Sequence, residues 1–242
     1  MTNTTNQKKG FRSIKAWLKL IISIPLTAVI IFSQAIATTV SAGLSIPPLF
    51  VTVIGEALPL VLAVVLMIAL GGRKWLGTDK ESVVYAFKAG WPLLILGVVG
   101  SVMNVISSIR KGIPLAEGAL VNFIAVVLAC LFIGFLEEIL YRGISFGTLL
   151  GILGGSRVLI MVAVLFSSWL FGRVHVPSMN FGNLNMFLQS LLKIIQTGML
   201  GIVMCDIMLH TKKIGGAALL HAANDFLLML TGALYEGKSV SG

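Results

Sequence analysis

Seven apolar runs, most of them long enough to cross a bilayer, dominate this chain: 20–40, 47–70, 93–109, 119–150, 158–171, 186–209 and 214–230. A helix rises 1.5 Å per residue, so a hydrocarbon core of about 30 Å takes about 20 residues. Backbone polar groups in lipid must be satisfied internally, which leaves helices and closed barrels. The runs are too long for barrel strands and lack their strict alternation. The sequence therefore predicts an all-α fold, a polytopic transmembrane helical bundle of seven or eight spans. The uncertainty in the count lies in 119–150, which is long enough for two short spans or a broken helix.

Composition points the same way. The chain is 57% hydrophobic and 11% charged, against about 25% charged in soluble domains. A soluble fold of this size could not hide so much apolar side chain, because much of its surface faces water. The formal charge of +9 comes from basic residues set beside apolar runs: Lys8, Lys9, Arg12, Lys15 and Lys19 at the start, then Arg73, Lys74, Lys80 and Lys88. This placement fits contact with anionic membrane lipids and a cytoplasmic N-terminus, and it speaks against nucleic acid as a partner. The tail and first run resemble a signal peptide, but the later spans favour a retained helix. After Arg110 the charge bias weakens, leaving the orientation of the last spans open. Cys130 and Cys205 both fall in apolar runs and read as buried free thiols.

Charged side chains inside such runs are costly and mark functional sites. The densest group is Glu137–Glu138–Ile139–Leu140–Tyr141–Arg142. Glu138 and Arg142, four apart on a helix, can pair on one face, whereas Glu137 points about 100° away. One carboxylate would brace and the other act as base and acid; a charge cluster locking two helices is the rival reading. Phe171 and His175 are also four apart, as are His221 and Asp225, with Asn224 between them. Together these supply a base, a group to orient water or polarise a carbonyl, and hydrogen-bond donors, the parts that amide hydrolysis requires. In one version Glu137 and His175 position water directly; in another Glu137, His175 and His221 hold a divalent metal such as zinc. There is no H-E-x-x-H and no G-x-S-x-G. Asp206 and His210 are spaced to pair near a span end, and Glu56 beside Pro59 marks a kink or an interhelical contact.

In order and spacing these residues resemble the CPBP intramembrane proteases, also known as the CAAX-protease, bacteriocin-processing or Abi family. E-E-x-x-x-R stands as Glu137, Glu138 and Arg142; F-x-x-x-H as Phe171 and His175; H-x-x-x-N/D as His221 and Asp225. The resemblance spans roughly 121–230. It implies that Glu137, helped by His175, activates the attacking water. His221 with Asp225 or Asn224 would steady the oxyanion, and Glu138 and Arg142 would maintain the site. Aspartate in place of asparagine matters, because a carboxylate donates no hydrogen bond unless protonated; Asp225 would instead orient His221. The need for metal stays open.

The resulting expectation is an intramembrane endopeptidase acting on a peptide or membrane-protein substrate, in peptide maturation or bacteriocin immunity, in a bacterial plasma membrane. The prenylated substrates of eukaryotic relatives are not carried over. A non-catalytic immunity or scaffold protein is the alternative, and a transporter the third reading. The expected organisation is a basic tail at 1–19, accessory spans at 20–115, a catalytic core at 116–232 and a polar tail at 233–242. Oligomeric state is not legible.

Overall fold

The computed structural model describes residues 16–44, 46–153, 155–176 and 178–236; the basic residues at 8–15, Gly154, Pro177 and the end of the C-terminal tail lie outside them. Every regular element among the described residues is helical. Seven helices are long and apolar enough to cross a membrane. They are built from α1 (Ala16–Ala42), α2 (Pro48–Ala69), α3 (Lys80–Arg110), α4 (Ala119–Glu138), α5 (Gly147–Leu153), α6 (Arg157–Val174), α7 (Leu184–Thr211) and α8 (Ile214–Thr231).

The ambiguous region 119–150 forms one span. A π-helical segment, Ile139–Phe146, joins α4 to α5 without a break in the rod. Such wider turns occur mostly as local features at functional sites, and this one begins directly after the paired glutamates. The polar stretch 71–90 is also shorter than its composition suggests. Asp79 caps α3, accepting a bond from the Ser82 amide at 2.8 Å, while the Asp79 amide donates to the Ser82 hydroxyl at 3.1 Å. This reciprocal box satisfies two otherwise orphaned donors and starts the helix at Lys80.

In lipid, apolar burial gives helices little reason to associate, so close backbone approach and hydrogen bonding carry the packing. Helix α8 lies between α3 and α4; α2 packs on α4, with α1 against α2, and α6 pairs with α7. Gly134 allows the α4–α8 contact: a Cβ there would sit 2.7 Å from the Ala218 carbonyl oxygen and 3.0 Å from the Ala222 nitrogen. Gly172 does the same for α6 and α7, where a Cβ would collide with the Ile194 carbonyl oxygen. Large apolar side chains such as Phe32, Leu96, Leu120 and Leu192 are left on the outside, as a lipid-facing surface requires.

In the accessory part, Glu56 is buried and accepts a 2.6 Å hydrogen bond from Gln34, tying α2 to α1. This matches the interhelical contact expected of it. Asp206 instead accepts a bond from the Tyr85 hydroxyl at 2.9 Å, and His210 stacks on the Tyr85 ring with centroids 4.1 Å apart. The aromatic ring on α3 thus engages both residues that were spaced to pair with each other. Cys130 and Cys205 are free and buried.

Candidate active site

Three elements converge about 10 Å along α8 from its start at Ile214: the end of α4, the end of α6 and the middle of α8. Glu138 stands at the centre of the supporting structure. It is fully buried, and its Oε1 lies 3.0 Å from Arg142 Nη1 and 2.8 Å from His221 Nδ1. One carboxylate oxygen therefore joins the π segment to α8. The Arg142 guanidinium also lies over the Phe171 ring, 4.1 Å from its centroid, which shields a buried cation with the negative face of an aromatic.

Phe171 is the floor of the site. It is fully buried, and its ring packs edge-on against His175 at 4.6 Å, Tyr141 at 5.0 Å and His221 at 5.7 Å between centroids. Helix α6 ends at Val174, and His175 turns there so that its Nδ1 lies 2.7 Å from the Phe171 carbonyl oxygen. A carbonyl only accepts, so Nδ1 carries the hydrogen and Nε2 presents a lone pair. That lone pair faces Glu137 Oε2 at 3.8 Å.

On the other side, His221 Nε2 lies 3.6 Å from the same Glu137 oxygen and 3.5 Å from Asp225 Oδ2. With acceptor oxygens at both ring nitrogens, His221 can serve both only with a hydrogen on each. Glu137 Oε2 is buried and makes no hydrogen bond among the described residues. The spacings to both imidazoles exceed a direct hydrogen bond. Glu137, His175 and Asp225 keep between a fifth and a third of their side-chain surface open, so a substrate has a way in.

Of the expected site residues, Glu137, His175, His221 and Asp225 meet in one place, with Glu138, Arg142 and Phe171 behind them. Asn224 is half-buried on α8 and makes no hydrogen bond to the other site residues. Orientation of His221 falls to Glu138 through Nδ1, while Asp225 approaches the opposite nitrogen. Helical spacing links Glu138 to Arg142 alone. Its bond to His221, 83 positions away, had no local signal, and neither did the central place of Phe171. Among the described residues, no group of three or more His, Cys, Asp or Glu side chains is arranged to hold a metal ion.

A glutamate facing two imidazoles, inside a bundle of membrane-crossing helices, defines the class of membrane-embedded hydrolases. Comparison with known families gives the same result. Residues 119–227 match the family described as Type II CAAX prenyl endopeptidase Rce1-like. The match contains every site residue from Glu137 to Asp225. Comparisons with curated proteins and with solved structures give no match.

Proposed function

We propose that this protein is an intramembrane endopeptidase in which Glu137 activates the attacking water. The observation that carries the reading is the unpartnered Glu137 Oε2, set 3.6 and 3.8 Å from His221 Nε2 and His175 Nε2. A water held there donates one hydrogen to Glu137 and the other to the His175 lone pair. Its oxygen is then free to attack a peptide carbonyl carbon. As the C–O bond forms, the proton passes to Glu137 and the carbonyl oxygen becomes an oxyanion. The His221 Nε2–H, held in place by Glu138 at the far nitrogen, is the donor best placed to stabilise that charge. Glu137 then returns the proton to the amide nitrogen, the C–N bond breaks, and a carboxylic acid and an amine leave. Asp225 stabilises the His221 hydrogen-bond arrangement. Phe171 and the surrounding helices limit bulk water, which strengthens each of these interactions.

The substrate in this reading is a peptide or a membrane-protein segment that reaches the site from the bilayer. With all seven helices crossing the bilayer, the two ends of the chain would lie on opposite sides. Arg73, Lys74, Lys80, Arg157, Lys212 and Lys213 cluster at one end of the bundle, against Arg110 and Lys111 in the α3–α4 connection at the other. We assign the richer end to the cytoplasm, which puts the tail 1–19 on that side. Residues 20–115 serve as accessory spans and 116–232 as the catalytic core. A scaffold would not need these side chains to converge.

Purified protein in proteoliposomes, offered a library of apolar peptides, tests the reading. Wild type is expected to cleave a subset, while folded Glu137→Gln, His175→Ala and His221→Ala lose about 10²–10⁴-fold in rate. Wild-type rates in all three would rule the mechanism out.

A further inference from the structure

The site is rich in acceptors and poor in donors. Glu137 and Asp225 present carboxylate oxygens, and His175 turns its Nε2 lone pair toward Glu137 because Nδ1 is held by the Phe171 carbonyl. Among the described side chains, the hydrogen on His221 Nε2 faces Glu137, and Asp225 Oδ2 competes for it at 3.5 Å. The backbone amides at the turn after α6 are already used: His175 donates to the Gly172 carbonyl at 3.3 Å and Val176 to the Arg173 carbonyl at 3.2 Å. The Arg142 guanidinium lies behind the Phe171 ring against Glu138, with its nitrogens buried. The oxyanion of amide hydrolysis is a strong acceptor and calls for donors aimed at it in advance.

Tyr141 carries a hydroxyl beside these groups. The residue is half-buried, and its hydroxyl makes no hydrogen bond among the described residues, although a buried tyrosine usually finds one. Its place is fixed from three directions. It follows Glu137 by four residues, and helical side chains lean toward the N-terminal end, so the ring covers the turn that carries Glu137. The ring packs edge-on against Phe171 with centroids 5.0 Å apart, and that same Phe171 ring meets His175 at 4.6 Å and His221 at 5.7 Å. The Tyr141 carbonyl accepts from the Ser167 hydroxyl at 3.4 Å, which pins this turn of the π segment to α6. Three rings with polar edges therefore surround one phenylalanine, two of them the imidazoles of the site and the third a phenol. A phenol keeps its hydrogen at neutral pH and can donate it.

We infer that Tyr141 is a further catalytic residue, whose hydroxyl donates to the carbonyl oxygen of the scissile bond and, with His221 Nε2–H, stabilises the oxyanion. The inference rests on the endopeptidase reading. Tyr141 forms no covalent bond and gives up no proton: its hydrogen bond tightens as negative charge gathers on the oxygen and relaxes when the C–N bond breaks and the carbonyl re-forms. The oxygen carries little charge in the bound peptide and most in the intermediate. The hydroxyl therefore acts on kcat and hardly on KM.

The test compares full-length wild type with Tyr141→Phe in proteoliposomes. The substitution removes one oxygen and leaves the ring on Phe171, so the melting temperature should not move. The probes are fluorescent apolar decapeptides, each made as the ordinary amide and with its central amide replaced by a tetrahedral, anionic phosphinate. For a peptide that wild type cleaves, Tyr141→Phe should lower kcat by about 10²-fold with KM unchanged. Binding of the phosphinate should weaken by a comparable factor, whereas binding of the amide, measured in the Glu137→Gln background, should stay the same. An unchanged kcat overturns the inference and leaves the endopeptidase reading standing. Equal weakening of amide and phosphinate also overturns it, since that would mark the hydroxyl as a ground-state contact, as does a wild type that binds the two alike. If wild type cleaves no peptide while phosphinate binding still depends on the hydroxyl, the oxyanion site stands and the endopeptidase reading falls.

Discussion

Glu138 serves two partners with one oxygen, and this explains why a second glutamate beside the reactive one is needed at all. Its removal would leave Arg142, almost fully buried, without a counter-charge. Stranding one member of a buried ion pair costs about 3–5 kcal/mol. Glu138→Ala should therefore lower thermal stability sharply, read as tryptophan fluorescence during melting in detergent. The double replacement Glu138→Leu with Arg142→Met should recover most of that loss yet remain inactive, because His221 loses its orienting acceptor. Stability unchanged by Glu138→Ala would remove the bracing role. Phe171→Leu keeps an apolar floor but loses the face under Arg142, a contact worth about 1–2 kcal/mol when desolvated; a smaller drop in melting temperature should report it.

At the scale of elements, two close crossings hold the site together. Gly134→Val would force a branched side chain into the Ala218 carbonyl and part α4 from α8. Overpacking of this kind costs about 1–3 kcal/mol, and here it also moves Glu137 relative to His221, so activity should fall more than stability. Activity retained alongside a wild-type melt would show that the crossing is looser than described. At the membrane boundary, Asp79 is bonded by Lys213 and by Ser82, and the Lys213 contact is the main reason its carboxyl is held down to about 2. A carboxyl whose folded value is lowered contributes stability above its unfolded value near 4, and loses it as pH falls toward 2. The melting temperatures of wild type and Asp79→Asn should thus differ at pH 7 and converge near pH 2. A constant difference across that range would contradict the assignment.

For the molecule as a whole, seven spans and the gathering of basic residues at one end predict opposite locations for the two termini. Single cysteines introduced at residue 10 and at residue 238, in a background lacking Cys130 and Cys205, should react with an impermeant maleimide from opposite sides of the membrane. Labelling from the same side would overturn the orientation. Much of this architecture was legible because lipid imposes simple rules of length and polarity on each segment separately. The motifs at 137–142, 171–175 and 221–225 were legible for a related reason: charge in an apolar run is conspicuous without knowledge of the fold. What sequence could not supply was pairing between segments. That Glu138 rather than Asp225 holds His221 Nδ1, and that Tyr85 engages both Asp206 and His210, are consequences of how helices rotate against one another. The π segment was similarly hidden, since its residues differ little from those of an ordinary apolar helix.

Hydrolysis by this site depends most on a water activated by Glu137 beside the two imidazoles. Its most direct test is hydrolysis of one cleavable membrane peptide in ¹⁸O-enriched water, with wild type and Glu137→Gln compared in identical proteoliposomes by mass spectrometry. The prediction is a new carboxyl group bearing one solvent oxygen in wild type, and a rate lower by about 10³-fold in a variant with an unchanged melting temperature. Equal rates of labelled product from the two proteins would contradict it.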